Sequence, residues 1–168
     1  RAARVEGADR AGVDGGQVVR ADNDDELVAT LVDMVRADVA RRPRGEAVRA
    51  LARVRRAALD ALLEALLYDD EPGVVCAAIE VSWTGPEHAR VVERLDELCV
   101  GLRDRPAAWR REVARLIGST GEARYDAVLS SLLEDPDASV MSLAAEAAGR
   151  EQHEAHLPRL LVALGRRD

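Results

Sequence analysis

Arginine is the residue type with the clearest chemical potential in this chain. All 24 basic residues are arginines, and eight of them fall in the short stretch 36–56, which contains only two acids. A spacing of i, i+4 and i+7 would place Arg49, Arg53 and Arg56 in one stripe along a helix. Because a guanidinium group binds carboxylate or phosphate through paired hydrogen bonds, such a stripe could hold an acidic partner.

A second group of arginines repeats this pattern later in the chain. We call the two groups together the arginine set; its members are Arg49, Arg53, Arg56, Arg110, Arg111 and Arg115. The alternative is an ordinary solvated surface, on which these arginines pair with Glu46, Glu80 and Glu112. Trp83 joins the set as a candidate interface anchor, because an exposed tryptophan beside arginine is typical of binding surfaces. Trp109 instead fits an apolar helix face and is expected in the core.

Metal-binding and catalytic patterns are weak. His153, Glu154 and His156 come closest to a zinc site, but their spacing differs from His-Glu-x-x-His and no third ligand accompanies them. No nucleophile–base arrangement or phosphate-binding glycine loop stands out, so we expect neither a catalytic residue, a cofactor nor a metal. Cys76 and Cys99 lie on predicted apolar faces and are expected to be buried free thiols.

The elements that must position these side chains follow from a hydrophobic pattern that returns about every 32 residues. Its first members lie at positions 27, 59, 91, 125 and 157, and within each block apolar residues recur at i, i+3 or i+4 and i+7. This spacing predicts one helix per block, which we call the A helices. They are expected at 25–40, 57–68, 87–102, 123–134 and 153–165.

Four further helices, the B helices, are predicted between them at 45–55, 73–83, 106–118 and 138–149. Proline and glycine mark the intervening turns, as in Asp70-Glu71-Pro72-Gly73. A fixed period of this length predicts an all-α solenoid, here a superhelix of about four and a half helix pairs. The fifth A helix would lack its B partner, so we expect the chain to be a piece of a longer protein or to be covered at that end.

Composition limits the classes of partner. The net charge of −7 makes nucleic acid and anionic membranes poor default partners. No apolar run is long enough to cross a bilayer and no signal peptide is recognisable, so a cytoplasmic location is expected. Residues 1–22 are rich in Gly, Ala, Arg and Asp without helical periodicity, and we expect a flexible segment there, followed by the repeat domain at 23–168.

The fourth repeat carries a family resemblance. Its segments Tyr125-Asp126-Ala127-Val128-Leu129, Leu132-Leu133-Glu134-Asp135-Pro136-Asp137 and Ala144-Ala145-Glu146-Ala147-Ala148-Gly149 resemble the short HEAT-like repeats of bacteria, which are also found in phycobilin lyases. The repeat at 57–85 is similar, and those at 25–55 and 87–121 agree mainly in period. The resemblance implies an armadillo-like, right-handed α-α superhelix whose B helices commonly line the concave side.

Protein binding is the function that the resemblance implies first. We therefore expect a non-enzymatic scaffold that binds another protein, or another domain of a longer parent chain, through an acidic surface of that partner. One alternative is nucleic-acid binding in the manner of HEAT-like DNA-repair glycosylases. A weaker alternative is an enzyme of the bilin-lyase type.

Overall fold

The structure, a computed structural model, describes residues 15–36 and 44–150, and every regular element in these two ranges is helical. The α-helices are α1 (Gly15–Arg36), α2 (Arg44–Val54), α3 (Arg56–Asp60), α4 (Leu63–Leu67), α5 (Pro72–Ser82), α6 (His88–Cys99), α7 (Ala107–Thr120), α8 (Asp126–Leu132) and α9 (Ala138–Arg150). Short 3-10 turns precede α7 and α8, at Leu102–Asp104 and Ala123–Tyr125. The predicted helix at 153–165 lies outside the described residues.

The four predicted B helices are confirmed as α2, α5, α7 and α9, with ends within two residues of the expected positions. The A helices differ more. The second is two short helices, α3 and α4, separated at Ala61–Leu62, and the first extends back to Gly15, into the segment expected to be flexible. Each predicted B helix is a single unbroken helix, whereas α3 and α4 together replace one predicted A helix.

The helices pack in the order in which they occur along the chain. We call α2, α5, α7 and α9 the B layer, because α2 packs against α5, α5 against α7 and α7 against α9. Of the other helices, α1 packs on α2, α4 and α6 pack on α5, and α8 packs against α7 and α9. One cluster of buried apolar side chains runs from Leu31 in α1 to Ala148 in α9.

The A-helix blocks of the predicted hydrophobic period account for less than half of this core, and the B helices supply most of the rest. From each described block, leucines or their equivalents are buried: Leu31, Val35, Leu59, Leu63, Leu66, Leu67, Val91, Leu95, Leu98, Tyr125, Leu129, Leu132 and Leu133. Leu27 was wrongly expected to be in the core, because its side chain is 45% exposed. Leu27 belongs to the first unit, for which no preceding repeat is seen among the described residues to cover it.

Two glycines bring neighbouring B helices into backbone contact. A Cβ added at Gly45 would lie 2.6 Å from the carbonyl oxygen of Gly73, and one added at Gly118 would lie 2.5 Å from the Cβ of Ala147. Both distances are too short for any side chain larger than hydrogen. Gly45 therefore sets the approach of α2 to α5, and Gly118 sets that of α7 to α9.

None of the helices in the described ranges has the length and apolar character that crossing a bilayer would require.

Replacing Leu129 by Ala tests the assigned repeat register. Leu129 is completely buried, so the substitution should lower the free energy of unfolding by about 2–5 kcal/mol through lost burial and a cavity. Leu27→Ala is the matched control and should cost less than about 1 kcal/mol, because that side chain is largely exposed. Chemical denaturation of both variants measures the difference, and equal losses would contradict the register.

Replacing Gly45 by Ala tests the contact between α2 and α5. The added methyl group meets backbone that cannot move by side-chain rotation, so we expect a loss of about 1–3 kcal/mol in the free energy of unfolding. At Gly73 an added Cβ meets only a side-chain oxygen of Glu71, at 3.7 Å. Gly73→Ala should therefore be neutral or slightly stabilising. Denaturation curves for the pair would contradict the contact if Gly45→Ala were equally well tolerated.

Candidate functional site

A cleft of 450 Å³ opens on the surface of the B layer where α2, α5 and α7 meet. Its lining combines two glycines with five charged residues: Gly45, Glu46, Arg49, Glu71, Gly73, Glu112 and Arg115. Because Gly45 and Gly73 carry no side chains, the two helix starts contribute only backbone to the lining. Two members of the arginine set, Arg49 of α2 and Arg115 of α7, are thus brought together although 66 positions separate them.

A chain of ion pairs crosses the three helices at this cleft. Glu80 of α5 accepts hydrogen bonds through one carboxylate oxygen from Arg49 Nε at 3.0 Å and from Arg115 Nη1 at 3.2 Å. Arg49 also pairs with Glu46 at 2.7 Å, and Arg115 pairs with Glu112 at 3.1 Å. We call these five residues the cleft network. They match the pairing that the solvated-surface alternative anticipated.

The cleft network changes the electrostatics of its central carboxyl group. Burial favours the neutral form of Glu80, but the charges and hydrogen bonds of Arg115 and Arg49 together outweigh burial and hold its pKa below the usual value. Glu80 therefore stays ionised at neutral pH, and its negative charge partly neutralises the positive charges of Arg49 and Arg115. Arg49 is also mostly covered, with its side chain only 17% exposed.

Arg56 is not on the predicted stripe. The helix α2 ends at Val54, and Arg55 adopts a non-helical conformation, so Arg56 begins α3 instead of continuing the face of Arg49 and Arg53. Its guanidinium group donates to the carbonyl of Val81 and the hydroxyl of Ser82 at the end of α5. It also pairs with Asp60 of its own helix at 2.8 Å.

Arg110 is fully engaged within the protein. Its Nε and Nη2 bind the two carboxylate oxygens of Asp135 at 2.8 and 3.0 Å, and its Nη1 donates to the carbonyl of Arg105. Arg44, which the sequence analysis did not select, has the same arrangement with Asp69, at 3.0 and 2.6 Å. Each arginine lies in the first turns of one B helix and each aspartate lies just before the next one. We call these two pairs the inter-repeat bridges.

Arg53 and Arg111 differ from the other four arginines of the set. Both are exposed, and neither forms an ion pair with the residues that the structure describes. Arg53 lies one turn beyond Arg49 on α2, and Arg111 lies one turn before Arg115 on α7, so each shares a face with a cleft arginine. Among the described residues, they are the two members of the set whose guanidinium groups form no hydrogen bond or ion pair with the protein, although the charge of Arg111 helps to lower the pKa of Asp137.

The two tryptophans are both partly covered. Trp83 lies at the C-terminal end of α5, where its ring makes an edge-to-face contact with His88 at a centroid distance of 5.1 Å. Trp109 packs against the core as expected and also lies beneath the guanidinium group of Arg105, 5.5 Å from the ring centroid. Trp83 therefore lies at the edge of the B layer, outside the cleft lining.

Neither thiol is activated for nucleophilic chemistry. Cys76 is buried and Cys99 is partly buried, and burial raises the pKa of each thiol to about 12. No group of three or more potential metal ligands occurs within the described ranges. The His153, Glu154 and His156 cluster lies outside them.

The pH dependence of stability should report on Glu80. Because its pKa is depressed in the folded protein, its stabilising contribution is present above the ordinary pKa of 4.5 and is lost as pH falls through the lower folded value. Glu80→Gln should reduce the free energy of unfolding by on the order of 1 kcal/mol near pH 7 and by much less at about pH 3. The control is Glu93→Gln on α6, an exposed residue without an ion pair among those described. Denaturation at both pH values measures the effect, and a Glu80→Gln loss independent of pH would contradict it.

Comparison with protein-family models, with curated proteins and with solved structures gives no match for this chain in any of the three.

Proposed function

We propose that this chain is a non-enzymatic protein-interaction scaffold built as a right-handed, HEAT-like superhelix. Three features of the described residues support this. Each B helix packs against the next in chain order, the A helices pack along this layer, and one hydrophobic cluster continues through the successive units. Helices that pack side by side in chain order form a long continuous surface. Solenoid proteins use such surfaces to bind partners.

The exposed pair Arg53 and Arg111 carries the proposal about the binding surface. The remaining members of the arginine set already bind carboxylates or carbonyls of the protein itself, although Nη2 of Arg115, which is buried, has no hydrogen-bond partner. The guanidinium donors of Arg53 and Arg111 remain available at the surface. Arg53 shares a face of α2 with Arg49, and Arg111 shares a face of α7 with Arg115. An acidic surface of a partner that spans these two helices would find both guanidinium groups available.

Nucleic acid is a less suitable occupant of this surface. Its phosphates attract clustered cations, whereas the cleft on the same helices as Arg53 and Arg111 is also lined by carboxylates, the exposed Glu46 and the partly exposed Glu112. The net charge of −7 adds a general repulsion. The experiment that tests the scaffold also separates these two classes of partner.

Charge reversal at both exposed arginines should strongly reduce capture of the partner. In crosslinked pull-downs from native lysate, the double variant Arg53→Glu/Arg111→Glu should recover the partner about tenfold less efficiently than wild type, because two attractions become repulsions. The matched control is Arg36→Glu/Arg103→Glu, which changes the net charge equally at two exposed arginines outside the B layer.

Nuclease treatment in parallel decides the class of partner. A protein that wild type and the control recover, that the Arg53→Glu/Arg111→Glu variant loses, and that resists nuclease supports the scaffold. Equal recovery by both double variants would reject these arginines as the binding surface. Recovery that disappears with nuclease would replace the scaffold by nucleic-acid binding.

A further inference from the structure

Successive B helices meet at three joints, and the middle joint is built differently from the other two. The first joint lies between α2 and α5, the middle joint between α5 and α7, and the last joint between α7 and α9. The inter-repeat bridges span the first and the last joint, through Arg44 with Asp69 and Arg110 with Asp135. Helix α5 contains no arginine, so no such bridge connects it to the turn before α7.

A valine takes the place of the bridging arginine in α5. Glu80 hydrogen-bonds to both Arg49 and Arg115, so these three residues lie in one row across the B helices. The residues five positions before them in each helix are therefore equivalent, and they are Arg44, Val75 and Arg110. Val75 is completely buried and offers no hydrogen-bond donor.

The carboxylate of the missing bridge is present but unpaired. The three equivalent carboxylates each lie three residues before a B helix begins, and they are Asp69, Asp104 and Asp135. Asp69 and Asp135 also accept the backbone N–H of the residue two positions further on. After Asp104 that position is Pro106, which has no N–H. Asp104 is exposed and forms no ion pair with the residues that the structure describes.

The glycine contacts follow the same division. Gly45 meets the backbone of Gly73 at the first joint, and Gly118 meets Ala147 at the last joint. None of the described glycines makes such a contact between α5 and α7. Apolar burial holds α5 and α7 together, but it is not directional. It therefore restrains the angle between two helices less than an arginine that binds both oxygens of a carboxylate.

Helix α6 is tied to the helices that precede it. It packs on α5, and Arg94 donates through Nε to the carbonyl oxygen of Leu67 at the end of α4, at 2.8 Å. Its polar contact with the following helices is at Asp96, which accepts hydrogen bonds from Tyr125 Oη at 3.0 Å and Arg124 Nη2 at 2.7 Å. The helices α1–α6 and α7–α9 thus form two parts of the chain, joined at the turn 100–106.

The contact between these two parts at the B helices is weakly constrained. Glu80 pairs with Arg115 at 3.2 Å, and their side chains are 30% and 28% exposed. A pair with this exposure contributes little free energy. Nη2 of Arg115 is buried without a hydrogen-bond partner. An unsatisfied buried donor is unfavourable, and a change in the angle between α5 and α7 can relieve it.

We propose that the middle joint is a hinge, at which α7–α9 rotate against α1–α6 about the contact of Asp96 with Tyr125. Hinges of this kind move packed units as rigid bodies about a few contacts. The cleft is lined by α2, α5 and α7, so its width changes with the rotation. Arg53 on α2 and Arg111 on α7 lie in different parts, so the hinge also sets the distance between them. The hinge is a property of the free chain and does not depend on a captured partner.

Double electron–electron resonance on the complete chain measures this motion. Cys76→Ala and Cys99→Ala remove the native thiols, and spin labels are then attached at pairs of exposed positions changed to cysteine. Three pairs compare the joints: Ala29 with Thr84 for the first joint, Val54 with Ser119 for a path that includes the middle joint, and Ser119 with Ser142 for the last joint. We expect the Val54–Ser119 distance distribution to be broader than both others.

A matched pair of substitutions tests whether the bridges make the difference. Asp69→Ala removes the bridge of the first joint and should broaden the Ala29–Thr84 distribution. Asp104→Ala removes the equivalent carboxylate that has no bridge to lose, so it should leave the Val54–Ser119 distribution unchanged. Circular dichroism shows whether each variant remains folded.

The comparison of the three pairs decides the proposal even if Asp69→Ala does not fold. A Val54–Ser119 distribution no broader than the other two would overturn the hinge. Broadening of that distribution by Asp104→Ala, or no change of the Ala29–Thr84 distribution in folded Asp69→Ala, would reject the bridges as its cause. None of these results bears on partner capture through Arg53 and Arg111.

Discussion

The inter-repeat bridges are the interaction on which the order of the helices depends most directly. Arg110 binds both oxygens of Asp135, whose side chain is only 2% exposed, and the same carboxylate accepts the backbone N–H of Asp137. The turn before α9 is thereby tied to α7. Arg44 and Asp69 tie the turn before α5 to α2 in the same way. Since a covered ion pair is costly to break on one side only, each bridge constrains two consecutive units together.

These bridges also determine which arginines remain for other roles. A guanidinium group that already donates to a carboxylate and a carbonyl, as Arg110 does, has few donors left for a partner. Arg111 is the next residue in the chain, yet it points to solvent without an ion pair among the described residues. Because the helix turns by 100° per residue, neighbours in sequence can serve structure and surface separately. The helix face, not the local density of arginine, therefore decides the role.

The sequence predicted the helices better than the site. Hydrophobic period and proline or glycine turns located all four B helices, because both signals are local. The predicted helix bounds, 45–55 and 57–68, already separated Arg56 from Arg49 and Arg53, but the stripe was drawn from spacing alone. The structure divides it between α2 and α3. The contact of Gly45 with Gly73 and the pairing of Arg44 with Asp69 join residues at least 25 positions apart. A single sequence carries the residue types for these contacts but not the geometry that brings them together.

On the proposed binding surface, the charges would serve to select a partner more than to hold it tightly. Exposed ion pairs contribute little free energy each, so Arg53 and Arg111 cannot by themselves give high affinity. Arg53 and Arg111 lie on α2 and α7, which both pack against α5, and the Gly45 contact fixes the spacing of α2 from α5. An acidic segment gains both contacts only if its carboxylates match the spacing of these two arginines, whereas a basic segment meets repulsion at both. Helix packing, more than charge density, would thus give this surface its specificity.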